Sequence, residues 1–583
     1  MLAALASSLQ ARAQTPPEPT STTYDYSPYE QDTIRLAERS LASRIDPHPE
    51  GKIVESVEFV TLDVIEPRDP VPGFLNVLHA TSRRWVIERE VLVHNGDRYK
   101  KILVDETARN LRVLPQLSLV LCVPLQGRSP NQVVLAVITK DIWSLRLNWT
   151  AAYSSGGLES LVVNPSETNL FGAHQSVGAR LEVQPESLAY GLSYYVPRLT
   201  SSRLRTLAAA NVVFSRRSGT AEGTFGGFSV GRPLLTTRTE WAWDAEFSWR
   251  SDVYRRYVNA QLGRYDAIVT PQPDGIPYQY STRRFLSGAS VTRSFGWASK
   301  TDVTVGLQHD FRRYDAPSLD GFDPAAMQEF RDKRVPRDDI RLGPFAQARS
   351  YTTNYLRVLD FETLGLQEDI RLGHDLIARV YPVSAAIGSS RTFLGTFAAA
   401  QYTFPLGDGL LRIGVDATQE VEQGRVSDAS ITGFVRVVTP RLAIGRIVAD
   451  SALLLRYRNY LNRSSLLGGN GRLRGYPSNY DVGRNLAVHN LEFRTRPLSL
   501  LSLQLGGALF YDVGDAFDAW SSLRVKESVG VGVRALFPQL DRMVFRGDLG
   551  FPVSRGRLPS DVAPVSFYMS FGQAFDLPSV QAP

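Results

Sequence analysis

A glycine-rich loop near the end of the chain carries two arginines, Arg472 and Arg474. Residues 466–477 read Leu-Leu-Gly-Gly-Asn-Gly-Arg-Leu-Arg-Gly-Tyr-Pro. Four glycines and a proline exclude a regular helix here, because glycine opens backbone conformations that other residues avoid and proline removes a hydrogen-bond donor. The sequence therefore predicts a shaped loop. The chemistry open to its arginines is the paired N–H···O bonding of carboxylates.

Motifs for covalent catalysis and metal binding are weak in this chain. Residues 227–231, Gly-Phe-Ser-Val-Gly, match G-x-S-x-G, but a nucleophile elbow needs a helix after the serine. Arg232 and Pro233 follow instead, within alternating sequence. The seven histidines are scattered, and no H-E-x-x-H, paired-cysteine or phosphate-loop pattern occurs. We therefore expect no enzyme activity, no metal and no cofactor.

The loop closely resembles the inward-folded loop of the BamA/TamA-type outer-membrane assembly proteins, the bacterial surface antigen family. The form Leu-Gly-Gly, spacer, Leu-Arg-Gly-Tyr carries the resemblance, with Arg474, Gly475 and Tyr476 at the motif positions. In that family the loop arginine reaches down inside a β-barrel to acidic residues on the next two strands. The resemblance implies that Glu492 and Asp512 are these acids, since the segments around both look like the family's acid-bearing strands.

Strand alternation gives an independent check on the two acids. Successive residues of a strand face opposite sides. From Leu501 onward the odd positions are mostly apolar, whereas the even positions, which include Asp512, are mostly small or polar. Glu492 likewise lies between two apolar neighbours, Leu491 and Phe493, that face the other way. Both acids are therefore predicted to face the lumen of a membrane barrel.

Length and composition favour the same class of protein. At 583 residues the chain exceeds the size of a single core, and no stretch has the apolar length of a transmembrane helix. A barrel needs no such stretch, because its apolar residues alternate with polar ones. The net charge of +6 is small for this length, and the basic residues are interspersed with acidic ones. Because nucleic-acid binding would need a concentrated basic surface, nucleic acid is not an expected partner. The single cysteine, Cys122, cannot form an internal disulfide.

The first fifty residues are expected to be export and linker sequence. Residues 1–13 resemble part of a signal peptide, with a short apolar segment at 2–9 and small residues on both sides of Arg12. The usual basic start is missing, which indicates a true start codon upstream; an alanine-rich disordered start is the alternative. Residues 14–51 are predicted to be a Pro/Ser/Thr-rich linker that contains a short amphipathic helix at 29–44.

Residues 52–141 are predicted to form a small α+β module. The pattern indicates a strand at 53–65, helices near 73–81 and 99–111, and strands at 117–123 and 132–139. The segment 91–99, Val-Leu-Val-His-Asn-Gly-Asp-Arg-Tyr, resembles POTRA modules, whose order is strand, helix, helix, strand, strand. The resemblance therefore implies one POTRA module in the periplasm.

The second strand of this module is predicted to be an edge that binds clients. An edge strand offers unpaired N–H and C=O groups to an extended chain. Its odd residues are expected to face the module's helices. The alternative is a module that serves only as a plug or spacer. The residues of this client-binding edge are Leu117, Leu119, Val120, Leu121 and Val123.

Residues 142–576 are predicted to form the barrel, and 577–583 a C-terminal tail. Apolar residues alternate with polar ones at both ends of this region, as in strands with one face toward lipid. The resemblance implies sixteen strands, for which there is room, although residues 200–440 alternate too irregularly to number. The first and last strands would close the barrel at a lateral seam. The predicted lipid-facing residues of the seam are Leu145, Leu147, Trp149, Phe567, Met569, Phe571 and Phe575.

The predicted fold class is thus β: a transmembrane antiparallel β-barrel preceded by one small α+β POTRA module. The resemblance implies an outer-membrane protein of a Gram-negative bacterium that inserts or translocates client polypeptides. Membrane lipid is an expected partner, and periplasmic chaperones or lipoproteins are further candidates. Insertion would use the first and last strands, which part so that an incoming strand satisfies its backbone there.

Two alternatives remain. One is a two-partner-type secretion pore that passes an unfolded protein through the lumen; such pores usually have two POTRA modules and a plug helix, for which 29–44 is a candidate. The other is a passive porin or structural barrel whose loop closes the channel.

Overall fold

The main body of the protein is a closed antiparallel β-barrel. The computed structural model describes residues 26–66, 72–199, 203–316, 321–553, 558–559 and 562–582. Within them, twenty strands form the wall, each paired with the next along the chain, and the last returns to pair with the first. The predicted signal peptide and the start of the predicted linker lie outside the described residues.

The prediction of sixteen strands is wrong. Residues 200–440 hold ten of the twenty strands. Several of these are long: Trp241–Arg255 has 15 residues, and Gln279–Phe295 and Ser299–Asp315 have 17 each. A tilted strand needs only about 9–11 residues to cross a bilayer. The remainder lies beyond the apolar layer, where neither face must be apolar, and this explains why the alternation in the sequence lapses there.

A small mixed sheet precedes the barrel. Helix α1 (Pro28–Ser40) comes first, followed by β1 (Ile53–Leu62), a 3₁₀ helix (Gly73–Leu78), α2 (Arg84–Glu88), α3 (Lys101–Arg112), β2 (Leu117–Gln126) and β3 (Gln132–Asp141). The sheet order is β1-β3-β2, with β1 parallel and β2 antiparallel to β3.

The POTRA module implied by the resemblance is not clearly present. Of the two predicted helices only α3 is a full helix, and the segment near 73–81 ends after one 3₁₀ stretch. The next residues are extended because they bond elsewhere: Ser82 N donates to the Asp141 carboxylate at 2.6 Å, and Arg83 N donates to Gly172 O of the barrel at 3.0 Å. Tertiary contacts have taken the place of helix here, and what remains is a small mixed sheet.

The faces of β2 are largely the reverse of those predicted. Leu119, Leu121 and Val123 pack against α1, whereas Val120 lies with Leu117 in the cluster that contains α3. A shift in the pairing between Leu117 and Leu119 causes this, because one extra residue in a strand moves everything after it to the other face.

Helix α1 connects this sheet to the barrel. It begins with a capping box, in which Ser27 Oγ accepts from Glu30 N at 3.2 Å and Glu30 Oε2 accepts from Ser27 N at 3.0 Å. Its apolar side shares a core with one face of the sheet and with turns of the barrel. The buried members of this core are Tyr29, Ile34, Ala37, Leu119, Leu121, Val123, Leu125, Ala136, Ile138, Leu364, Leu366, Leu536 and Val544.

The barrel wall runs from β4 to β23 in chain order. Because consecutive strands are antiparallel and their number is even, the first strand begins and the last strand ends on the same side of the barrel. This side carries the small mixed sheet and is called here the module side. A short segment, Leu498–Leu500, pairs with residues 503–505 at the start of the strand that follows it. The strands are β4 (Leu145–Ser154), β5 (Gly157–Leu170), β6 (Gln175–Val183), β7 (Ser187–Leu199), β8 (Leu204–Ser215), β9 (Ala221–Arg232), β10 (Trp241–Arg255), β11 (Gln279–Phe295), β12 (Ser299–Asp315), β13 (Asp339–Thr352), β14 (Gly373–Val383), β15 (Phe393–Leu406), β16 (Gly409–Glu422), β17 (Arg425–Val438), β18 (Gly445–Tyr457), β19 (Asn485–Thr495), β20 (Leu503–Phe517), β21 (Lys526–Leu536), β22 (Phe545–Val553) and β23 (Ser566–Phe571).

The outer surface of the wall is apolar. Large aliphatic and aromatic side chains alternate outward along the strands; Leu145, Leu307 and Val533 are each more than 60% exposed. An apolar band of this kind is a lipid-facing surface, since such patches are rarely left to water. None of the described helices has the length and hydropathy to cross a membrane.

The side of the barrel opposite the module is covered by a helix and two short hairpins, which together form a cap. Helix α4 (Pro324–Arg334) begins after its N-cap residue Asp323, whose carboxylate accepts from Ala325 N at 2.7 Å. It packs on the β10–β11 connection, which contains two short hairpins, Tyr257–Val258 with Gln261–Leu262 and Arg264–Tyr265 with Ile276–Pro277. The shared core of this cap is Ala267, Ile276, Tyr278, Tyr280, Ala326, Met327, Phe330 and Val335.

The docking of α1 is predicted to weaken as pH rises. Burial raises the pKa of Glu30 from 4.5 to about 7, so the folded state holds this proton more tightly than the undocked helix does. The free energy of docking is therefore most favourable below about pH 4.5. It becomes less favourable, by on the order of 3 kcal/mol at most, as the pH rises to about 7. Hydrogen exchange of α1 amides, corrected for intrinsic rates, should show less protection at pH 8 than at pH 5.

The matched control is Glu30→Gln, which keeps the capping geometry but cannot ionise. Its α1 should be protected equally at both pH values. Equal protection in the unmodified protein would contradict the assignment to Glu30.

Candidate functional site in the barrel lumen

The loop between β18 and β19 folds back into the barrel. At its base Ser465–Leu467 pairs with Asp481–Gly483. Gly468 has a φ of +117°, a conformation that L residues with a side chain rarely adopt, and a Cβ there would meet Pro477 O at 2.2 Å. At Gly475 a Cβ would lie 2.4 Å from the Ser528 side chain on the wall. The glycines therefore let the loop turn sharply and lie flat against the wall.

Arg474 lies at the centre of the site and contacts both predicted acids. Its Nε and Nη2 donate to the two oxygens of Asp512 at 2.8 and 2.9 Å, and its Nη1 donates to Glu492 Oε2 at 2.7 Å. The backbone N of Arg474 also donates to Asp512 at 3.1 Å. The Phe510 ring lies 3.5 Å from the guanidinium carbon. A bidentate pair stacked on a ring fixes both the position and the orientation of the guanidinium.

A third acid, Asp548 on β22, completes the site and was not predicted. Its Oδ2 accepts from Arg474 Nη1 at 3.1 Å, and it also pairs with Arg534 and with Arg546, the latter at 3.0 Å. The signal was available in the sequence, because alternation along β22 places Asp548 on the inward face, opposite Phe545 and Leu549.

The charges at this site are nearly balanced and fully buried. Arg474 and the three acids have no exposed surface. Arg494 adds a bond to Glu492 at 2.9 Å, so four guanidiniums share three carboxylates. Burying charges is costly unless they are paired and hydrogen-bonded, and the shared bonds meet that condition.

The loop also contacts the last strand of the barrel. The Tyr568 hydroxyl on β23 donates to Tyr476 O at 2.7 Å. Gly550 on β22 lies against the loop backbone, so that a Cβ there would meet Arg474 O at 2.1 Å. Three motif residues, Arg474, Gly475 and Tyr476, therefore touch the wall from β19 to β23.

The seam between β23 and β4 is short. Among the described residues, three pairs join the strands: Phe567 with Tyr153, Tyr568 with Ala152 and Met569 with Ala151. On its other side β4 pairs with β5 along all of its length. Below the seam, Phe545 bridges the two strands by ring contacts to Trp149 at 5.7 Å and to Phe571 at 5.6 Å.

The predicted seam residues fall into two groups. Leu145 and Leu147 are 63% and 61% exposed on the outer face of β4, while Phe567, Met569 and Phe571 lie on β23. Phe575 is different: β23 ends at Phe571, Gly572 takes a φ of +95°, and Phe575 is buried in the lumen. The backbone turns inward at the one residue type that adopts this φ freely, which the strand pattern could not reveal.

The predicted client-binding edge, β2, is an edge of the sheet but is partly covered. Asp46 N donates to Pro124 O and Gln126 N donates to Arg44 O, both at 2.9 Å. These bonds occupy the C-terminal end of β2. On its outer side, β2 is therefore covered at its C-terminal end by the segment that contains Arg44 and Asp46.

Comparisons with known proteins find likeness in structure alone. No family model matches the chain, and no curated protein matches it. BamA from Haemophilus ducreyi lacking POTRA domains 1–3 is similar at 11% identity over 94% of this chain and 95% of that chain, with a TM-score of 0.34. CdiB from Acinetobacter baumannii is similar at 10% identity over 93% and 82%, with a TM-score of 0.41.

CdiB from Escherichia coli is also similar, at 10% identity over 97% of this chain and 93% of that chain, with a TM-score of 0.40. The chain resembles BamA-type proteins in its loop motif, and BamA is among the structures to which it is similar.

Arg474→Ala is predicted to release the loop while the barrel still forms. The substitution leaves three buried carboxylates with fewer partners, and breaking a buried pair from one side costs about 3–5 kcal/mol. The barrel wall keeps its own backbone hydrogen bonds. An external protease should therefore cut the loop faster in intact cells, while the mobility shift on heating that reports a folded barrel persists.

The control for this experiment is Arg484→Ala, at an exposed arginine beside the same loop, which should leave digestion unchanged. If Arg474→Ala and Arg484→Ala are digested at the same rate as the unmodified protein, Arg474 does not anchor the loop.

Proposed function

We propose that this protein is an outer-membrane barrel that inserts other polypeptides into the membrane at the seam between β23 and β4. The observation that carries the proposal is the unequal pairing of β4. Of its ten residues, only Ala151–Tyr153 pair with β23. In the described part of the chain, no strand pairs with Leu145–Thr150 on that side.

An incompletely paired strand within an apolar band is a site for another strand. Backbone N–H and C=O groups without partners cost several kcal/mol each in hydrocarbon, so open sheet edges are unfavourable there. An incoming extended segment would satisfy these groups by adding to the edge of β4. The outward side chains at this position, Leu145 and Leu147, already match a lipid surface.

The arginine-anchored loop supports opening at this seam rather than elsewhere. It ties β19, β20 and β22 together through Arg474, and it reaches β23 through Tyr476 and Tyr568. Across the seam, Ser478 N, directly after the loop motif, donates to the Glu159 carboxylate on β5 at 3.1 Å, and no such bond among the described residues reaches β4. We infer that β19–β23 move as one unit, that β4 is the strand from which they part, and that parting also breaks the contact between Ser478 and Glu159.

A secretion pore is the second candidate, and the position of α1 favours it. A plug helix should lie at the mouth of the lumen, and α1 packs on turns of the barrel through Leu364 and Leu536. A chain passing through the lumen would also have to displace the loop, whose arginine is fully buried. Seam insertion leaves both in place and is therefore the preferred proposal.

A disulfide across the seam is predicted to stop insertion. Ala151 and Met569 are register partners with side chains on the outer face, and antiparallel partners lie within the roughly 7 Å Cα separation that a disulfide allows. In a Cys122→Ser background, A151C with M569C should lose the ability to speed the insertion of an unfolded bacterial barrel protein into proteoliposomes. Reductant should restore it.

The matched control places the second cysteine on the other neighbour of β4. Leu161 on β5 is also a register partner of Ala151, and A151C with L161C locks two strands that need never part. This variant should remain active when oxidised. Full activity of the oxidised Ala151–Met569 variant would rule out seam insertion and favour the secretion pore.

A further inference from the structure

The C-terminal segment, Gln573–Ala582, lies inside the barrel. After Gly572 turns the chain inward, the segment runs along the inner wall formed by β14–β18, without pairing as a strand. Phe575 packs with Leu410, Val438 and Val448 near the module side. Val580 is 2% exposed and packs with Ile377, Phe397, Ala399 and Phe434 higher in the lumen.

Side chains of the wall form hydrogen bonds with the main chain of this segment. Arg436 Nη2 donates to Asp576 O at 2.8 Å, and Arg412 Nη1 donates to Pro578 O at 2.9 Å. Val580 N donates to Gln401 Oε1 at 3.2 Å. These three wall residues are themselves buried. Because the bonds use backbone atoms, they would accept any extended peptide in this path.

Selectivity at this site comes from the aromatic side chain. The Phe575 ring lies within reach of four guanidiniums: Arg436 at 4.8 Å, Arg472 at 5.6 Å, Arg494 at 5.9 Å and Arg474 at 6.0 Å. A cation that lies over the face of an aromatic ring is attracted to the ring, most strongly where water is excluded. The Asp576 side chain, by contrast, is exposed.

One guanidinium donor at the site lacks an acceptor. Arg494 Nη2 is buried and makes no hydrogen bond to the described residues, whereas Arg436 Nη1 lies 3.8 Å from the Glu362 carboxylate. Buried guanidinium N–H groups normally find acceptors, so Arg494 Nη2 marks a place near Phe575 where a further acceptor oxygen of a bound peptide would be stabilised.

We propose that the inner wall of β14–β18 is a binding site for an extended peptide, which the chain's own C-terminal segment occupies as a displaceable ligand. The site takes an aromatic residue among the arginines, main-chain carbonyls on Arg436 and Arg412, and an aliphatic residue five positions after the aromatic one. The proposal does not depend on which polypeptides the barrel inserts, since it concerns the contacts of this segment alone.

The first experiment supplies the segment in trans. A variant that ends at Gly572 is mixed in detergent with a fluorescent synthetic peptide of residues 573–583. We expect saturable binding to this variant and binding at least about tenfold weaker to the full chain, where the site is occupied. A peptide with Phe575→Ala should bind about tenfold more weakly, whereas one with Asp576→Ala should bind as well as the parent.

Equal binding to the full and shortened chains, or equal affinity of the Phe575→Ala peptide, would overturn the proposal. These readouts do not involve insertion activity, so they fail or succeed independently of the proposed function.

A second experiment covers the case in which the shortened chain does not fold. In the full chain with Cys122→Ser, Val580→Cys places a thiol at the buried end of the segment. Labelling by a maleimide should be slow, and about tenfold faster when Phe575→Ala is added. Adding Asp576→Ala instead should leave the rate unchanged. Equal rates in all three variants would show that Phe575 does not hold the segment.

Discussion

The buried bonding of Arg474 is the interaction on which the rest of the barrel interior depends. A guanidinium and three carboxylates with no exposed surface can persist only if each charge is compensated. The loop supplies the arginine, and strands β19, β20 and β22 supply the acids. The requirement for compensation therefore couples the path of a loop to the register of three strands. The close approach of Gly475 and Gly550 to their neighbours belongs to the same constraint.

The other consequence of this arrangement is an asymmetric barrel. Strands β19–β23 are tied to the loop, while β4 is joined to β23 by only three residue pairs. Gly572 contributes to both features, because the turn there ends β23 early and sends Phe575 toward Arg474 and its neighbours. The residues that would have lengthened the seam are used to fill the lumen instead. A weak seam and a filled lumen thus have one cause.

The module side is closed by contacts between parts that are distant in sequence. A hairpin between β13 and β14, Tyr355–Leu359 with Gln367–Arg371, packs between the barrel and α3. There Arg357 pairs with Asp105 at 3.2 Å, and Arg112 pairs with Asp369. Partly buried pairs of this kind orient the sheet and α1 against the barrel, although each contributes little alone. The core around α1 and Leu364 supplies the apolar part of the contact.

The sequence by itself determined the class of fold and the chemistry of the loop. Alternation depends only on the two faces of a strand, so it placed Glu492 and Asp512 on the inner face, and it placed Asp548 there as well without assigning it to the site. Glycine and proline content was enough to predict a shaped loop at 466–477. The meeting of Arg474 with these acids is then observed in the lumen.

Only the tertiary structure decided the number of strands, the form of the module and the end of the chain. The predicted strand count came from the resemblance, because alternation over residues 200–440, where several strands extend beyond the length that a bilayer needs, is too irregular to number them. The segment after the 3₁₀ helix is extended because it bonds to Asp141 and to Gly172, and β2 presents the opposite face because of one bulge. Phe575 lies in the lumen and not at the seam because Gly572 takes a positive φ. Each depends on one backbone angle or one distant partner, which a local pattern does not contain.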